Sequence, residues 1–271
     1  MNIHQLAYQA LMENDTAVKL QQIEELYATY KDQPPTLGDF PVESIAVPGR
    51  PAKPDLISPK KLKHRKLNSA AGRAHLIHAV THIEFNAINL ALDAVYRFRD
   101  MPVDFYQDWL RVAAEEAYHF GLLRQRLETM GYHYGELPAH NGLWEMTVNT
   151  DHDVLVRMAL VPRVLEARGL DVTPGIIQRL QVVDDNESIA ILKIILADEI
   201  GHVAIGSKWF HYCCKQRELE PIATFKALLL EYMGTPVRSP LHIEARLQAG
   251  FTQQELDELL AMEQQWIISA T

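Results

Sequence analysis

The stretch ILADEIGHVAIG, residues 195–206, sets two acids and a histidine, Asp198, Glu199 and His202, among residues that otherwise read as the buried side of a helix. An unpaired charge in such a place costs several kcal/mol or more, so something must make these groups tolerable. Three, four and seven residues either way from Glu199 stand Leu192, Ile195, Leu196, His202, Val203 and Gly206, which puts the carboxylate in the middle of a core-facing stripe. A Glu and a His three residues apart lie on one helix face, about 4.5 Å apart along the axis, and both can aim at one ion.

The same spacing recurs in EEAYHF, as Glu116 and His119, with Trp109, Val112, Ala113, Phe120 and Leu123 on its face. Scattered at random, 20 Glu and 12 His would give about one such pair, so the apolar surroundings carry more weight than the pairs themselves. Glu84, flanked by Ile77, Val80, Thr81, Ala87, Ile88 and Ala91, is a third inward carboxylate. Glu166 is a fourth, on a less regular stripe that includes Arg163 as a potential ion-pair partner. The order is a lone Glu and then Glu-x-x-His, twice: Glu84 precedes Glu116 by 32 residues and Glu166 precedes Glu199 by 33.

One Glu from each of two helices and a Glu-x-x-His from each of two others supply six ligands for two metal ions in a four-helix bundle. Four carboxylates and two imidazoles suit iron or manganese, and four negative charges balance two divalent cations. Each Glu-x-x-His follows directly on another acid, Glu115 or Asp198, one position off the ligand face. Either could accept the second N–H of a ligating imidazole. His75, His78 and His82 form a rival zinc-type set. Their face points about 160–200° away from Glu84 and is expected to be polar and partly exposed.

Helix-period patterns recur along the 271 residues, 48% of them hydrophobic, and no strand alternation is sustained. The reading is all-α, with helices near 3–30, 69–98, 103–130, 151–168 and 186–216, a short one from Pro174, and two more in the tail. Pro162 predicts a kink or a later start in the 151–168 segment. The proline-rich stretch 31–59 predicts an extended arm. The division is therefore an N-terminal helix and arm over 1–68, a four-helix bundle with a dinuclear site over 69–216, and C-terminal helices over 217–271.

A net charge of -9 argues against a generally cationic surface, although KKLKHRKL holds five Lys/Arg within residues 60–66, a local patch that could touch phosphates. The N-terminal residues lack a signal-peptide pattern and no apolar run reaches membrane-spanning length, so a cytoplasmic location is expected. The adjacent Cys213 and Cys214 read as free thiols, since neighbours in sequence cannot staple distant segments.

The ordered ligands resemble those of the ferritin-like di-iron carboxylate superfamily over roughly residues 70–215. The stretches HIEFNAINLALDAVYRF, GLWE, VPRVLEARGLDVTPG and DEIGHVAIG are similar to an uncharacterised bacterial ferritin-like family, a domain of unknown function. The resemblance implies a ferritin-like bundle with Glu84, Glu116, His119, Glu166, Glu199 and His202 as metal ligands, and Asp198 where many members have an acid bonded to a ligand His. The expected cofactor is two Fe ions, with Mn or a mixed Mn-Fe pair as the variant. The implied activity is an O₂- or peroxide-dependent oxidoreductase that hydroxylates or oxidises an organic substrate, either a small molecule or modified RNA docked on the 60–66 basic run. No rubredoxin-like CxxC occurs, so electrons would come from an external donor, and an oligomer is compatible with all of this. The alternatives are iron oxidation and metal handling without an organic substrate, and a structural role in which the acids serve only buried ion pairs.

Overall fold

The computed structural model describes residues 2–62 and 65–269. Among these, the regular elements are eleven α-helices, one 3₁₀ turn at Pro59–Lys61 and one π-turn at Val161–Glu166, with a single isolated bridge between Leu56 and Ala139. In chain order the helices are α1 (Ile3–Met12), α2 (Thr16–Tyr30), α3 (Ala70–Arg97), α4 (Val103–Thr129), α5 (Gly142–Asn149), α6 (Val154–Leu160), α7 (Ala167–Gln181), α8 (Asn186–Gln216), α9 (Pro221–Met233), α10 (Ile243–Gln248) and α11 (Gln253–Ser269). No helix among the described residues is long and apolar enough to cross a membrane. The chain forms two compact units. One runs up to Asp151 and includes Arg179–Ile191; the other comprises His152–Gln178 and the residues from Leu192 onward.

In the first unit α3 is buried on every side from Glu84 to Arg97, with α1, α4 and α5 packed against it. The short connection Phe98–Pro102 turns the chain back into α4, so the two longest helices of this unit run antiparallel. Inside α3 Arg97 makes a bidentate pair with Asp93, at 2.8–3.0 Å. The single helix expected over 3–30 is instead two. Asp15 caps α2 by accepting from the N–H groups of Ala17 and Val18, and the break lets α1 lie on α3 while α2 lies on α4.

Residues 31–59 satisfy their backbone groups by reaching other elements rather than each other. Tyr96 Oη accepts from Glu43 N–H and donates to the Pro41 carbonyl, Gly49 N–H donates to Leu11, and Trp144 Nε1 donates to Ala46. That last bond explains α5, to which the sequence pattern assigned no helix: a buried Trp144 anchored on the arm holds eight residues of weak amphipathicity in place.

In the second unit the helix expected to end before Gly169 does not end there. It runs from Val154 to Gln181 with the π-turn in its middle, so Pro174 lies inside α7 instead of opening a separate helix. Pro162 provides no N–H and crowds the preceding turn, and widening to π geometry absorbs it without a break. The turn packs tightly on α8, since a Cβ built on Gly206 would lie 2.3 Å from Cβ of Pro162. Cys213 and Cys214, further along α8, are buried free thiols whose pKa values burial pushes up to about 11.

Two tests follow from this packing. Gly206→Ala drives a methyl into the pyrrolidine ring of Pro162, and urea unfolding should show a loss of about 1–3 kcal/mol. Lys19 is buried in the first unit, donating to the Leu11 carbonyl at 2.9 Å and to Asn89 Oδ1 at 2.6 Å, and burial lowers its pKa from 10.5 to about 7. Between those values the unfolded chain carries the extra proton, so stability rises with pH; the penalty is complete below about 7 and gone above 10.5. Wild type should therefore gain stability relative to Lys19→Met when urea unfolding at about pH 9.5 is compared with about pH 7. A pH-independent difference would mean that Lys19 keeps its charge in the fold.

Candidate metal centre

Glu84 projects from the buried part of α3, and Glu116 and His119 from one face of α4, where Val112, Ala113, Phe120 and Leu123 complete a buried stripe. The three are at most 3% exposed, and each presents a metal-ligating atom within 4.8 Å of those of the other two. Nδ1 of His119 faces both acids, at 3.2 Å from Glu84 Oε2 and 3.4 Å from Glu116 Oε2. Burial and the adjacent charge of Glu116 hold the Glu84 carboxyl well above the usual range, against the pull of His119. Burial disfavours a charged His119, but its hydrogen bonds with Glu116 and Glu84 outweigh that and raise its pKa to about 11.

The second unit holds the other three sequence-derived ligands, all buried. Glu166 is the last residue of the π-turn, and Glu199 and His202 share a face of α8 with Nδ1 of His202 3.8 Å from Glu199 Oε1. Within this unit the Pro162–Gly206 contact matters to them. Glu166 lies four residues beyond Pro162 and His202 four before Gly206, so the contact fixes how closely the faces bearing these two side chains approach.

Arg163 was a potential partner for Glu166. Its ion pair is instead with Glu255 on α11, Nη2 to Oε1 at 2.5 Å. The guanidinium lies 4.4–4.5 Å from the ring centroids of Phe210, Phe225 and Phe251. A partner 92 residues away left no signal in local spacing. Glu115 and Asp198 are both half-buried, and Glu115 faces Arg111 at 3.9 Å.

The histidine face of α3 differs from expectation. His78 and His82 are buried, at 1% and 3% exposure, not partly exposed. His78 Nε2 accepts from Gly135 N–H at 2.9 Å. His82 Nε2 accepts from Asn86 at 3.1 Å, so its Nδ1–H donates to Tyr134 Oη at 2.9 Å. Burial lowers these two imidazoles to about 4 and about 3, so both are neutral. Nitrogens engaged in this way do not make a zinc site. Tyr134 had not been singled out, because it sits in a loop without periodicity. Its ring stacks on His78 and His82 and also packs against Phe85 and Phe120, the residues that follow Glu84 and His119.

Comparison with known proteins adds a family but no activity. Residues 12–257 match the family described as Protein of unknown function (DUF455). An uncharacterized protein of Haemophilus influenzae is 47% identical over 237 residues, covering 84% of this chain and 82% of that protein. No solved structure matches. With its match spanning nearly the whole sequence, the chain belongs to the DUF455 family.

Proposed function

We propose that this protein is a dinuclear non-haem iron or manganese oxidoreductase. In this reading α3, α4, the run from α6 through α7, and α8 form a ferritin-like four-helix bundle. The observation that carries the reading is the buried trio of Glu84, Glu116 and His119, a lone Glu beside a Glu-x-x-His whose donor atoms lie within reach of one ion. The same order of buried residues recurs as Glu166, Glu199 and His202. Two such halves would supply six donors for a pair of divalent ions, and oxygen donors with imidazole are a set that iron and manganese accept.

When bound, such a metal pair supplies electrons to O₂ or peroxide, with an external donor restoring the reduced state. The chain's own residues then have definite tasks. The four carboxylates would hold the ions and neutralise their charge. Nδ1 of His119, turned toward both acids, gives up its proton to become a ligand. Asp198, one residue before Glu199, is the candidate acceptor for the outer N–H of an imidazole, whereas Glu115 has Arg111 in front of it. The substrate is an organic molecule, either small or a modified RNA. Of the basic run proposed to dock RNA, Lys60, Lys61, Arg65 and Lys66 are exposed, while Lys63 lies outside the described residues.

Protein purified from iron-supplemented cells should contain about two iron or manganese ions per chain, and His119→Ala or Glu199→Ala should abolish binding with little loss of helical circular dichroism. Less than about half an equivalent in the wild type, or unchanged content in the variants, overturns the reading. Adding O₂ to the ferrous protein separates the chemistries: one stoichiometric oxidation that awaits an organic reactant is expected, while sustained iron oxidation with mineral formation would assign metal handling instead.

A further inference from the structure

A second cavity lies in the first unit, away from the acids. It occupies about 760 Å³, within the range that encloses small organic ligands, and opens along the N-terminal half of α3. Its wall on that helix is His75, Leu76, Ala79, His82 and Ile83. Glu84 lies about 200° round the helix from His82, so this is a different face from that of the trio. Leu62, Leu137 and Pro138 provide further apolar wall. Three cations line the cavity from separate parts of the chain: Lys61 from the 3₁₀ turn, Arg65 beyond it and Arg179 near the end of α7. Among the described residues no Asp or Glu lines it, in a chain whose net charge is -9.

The geometry points to a binding site for a small organic anion, with an apolar body seated on the α3 wall and a phosphate, carboxylate or sulfonate group at Lys61 and Arg65. Charge selects the class. Lys61 and Arg65, in a lining whose described residues include no carboxylate, create a local potential opposite to that of the whole protein, which draws in an anion and repels a cation. Shape selects the body: leucine and proline side chains have no hydrogen bonds to offer, so this part of the ligand must be one that gains by leaving water. His82 rigidifies the wall, because Tyr134 and Asn86 hold both of its ring nitrogens. His75 donates Nδ1–H to the Ala71 carbonyl, which leaves Nε2 as an acceptor for a ligand hydroxyl or amine. The site does not depend on the metal reading, and metal content plays no part in its test.

The probe is 8-anilinonaphthalene-1-sulfonate, an aromatic anion whose fluorescence rises in apolar surroundings, compared with its uncharged counterpart N-phenyl-1-naphthylamine and with inorganic phosphate. Saturable binding of one sulfonate probe per chain is expected. It should weaken about tenfold in Lys61→Ser/Arg65→Ser, which alters only exposed side chains, and vanish in Ala79→Trp, which fills the cavity from an exposed position on α3. Circular dichroism of both variants should match wild type. Sulfonate binding that is unchanged in either variant, equal binding of the uncharged dye, or phosphate alone binding as tightly as the dye overturns the proposal. So does a single-stranded RNA that binds through Lys61 and Arg65 while the dye does not bind at all, since the cations would then serve a polymer.

Discussion

The interior of the first unit holds two carboxylates against one imidazole. Glu84 and Glu116 both approach Nδ1 of His119, and all three side chains are sealed from water. Like charges at this range in a poorly polarisable medium repel strongly, and the protein could have relieved that by exposing one acid or replacing it with glutamine. Instead α3 is buried around its whole circumference just where Glu84 sits, and α4 brings Glu116 and His119 in on a continuous apolar stripe. The packing holds the charges together against their own tendency to separate, as expected where an interaction other than folding has selected them.

Other buried charges in the chain are arranged differently. Arg97 has Asp93, Arg246 has Asp171 in a bidentate pair, and Arg163 has Glu255 with three aromatic rings around its plane. In each a guanidinium meets its acid through hydrogen bonds that orient the pair, with a further charge nearby: Asp151 beside Arg97, Arg168 beside Asp171 and His211 beside Glu255. Lys19 takes a carbonyl and an amide oxygen as its hydrogen-bond partners, and burial is what makes its proton so weakly held. The trio differs in having an imidazole rather than a guanidinium between its two acids, and it coincides with a Glu-x-x-His spacing of the sequence.

How much was legible follows the length over which a pattern repeats. α3, α4 and α8 lie within one or two residues of their sequence-derived limits because each sustains many turns of one periodicity. The approach of Glu84 to the Glu116–His119 pair was readable for the same reason: a short connection forces α3 and α4 together with their apolar faces inward. Short-range signals fared worse. Asp15 was an N-cap that the continuous pattern of 3–30 concealed, and Pro162 suggested a kink or a later helix start when the helix had the option of a wider turn. The burial of His78 and His82 was hidden because their partners, Gly135 and Tyr134, belong to a loop more than fifty residues away. Polar residues at helical spacing look alike whether they face solvent or a tyrosine.

The π-turn changes the phase of the run from Val154 to Gln181. Each turn of this geometry takes in roughly one residue more than a turn of α-helix, so α6 and α7, though continuous, are rotated against each other by about 100° relative to an unbroken helix. Side chains before Val161 and after Glu166 consequently point along directions that no single helical wheel relates. Relatives that lack one residue in this segment would present Glu166 and the α6 side chains at a different mutual angle, so alignment gaps here carry geometric meaning that gaps in surface loops do not.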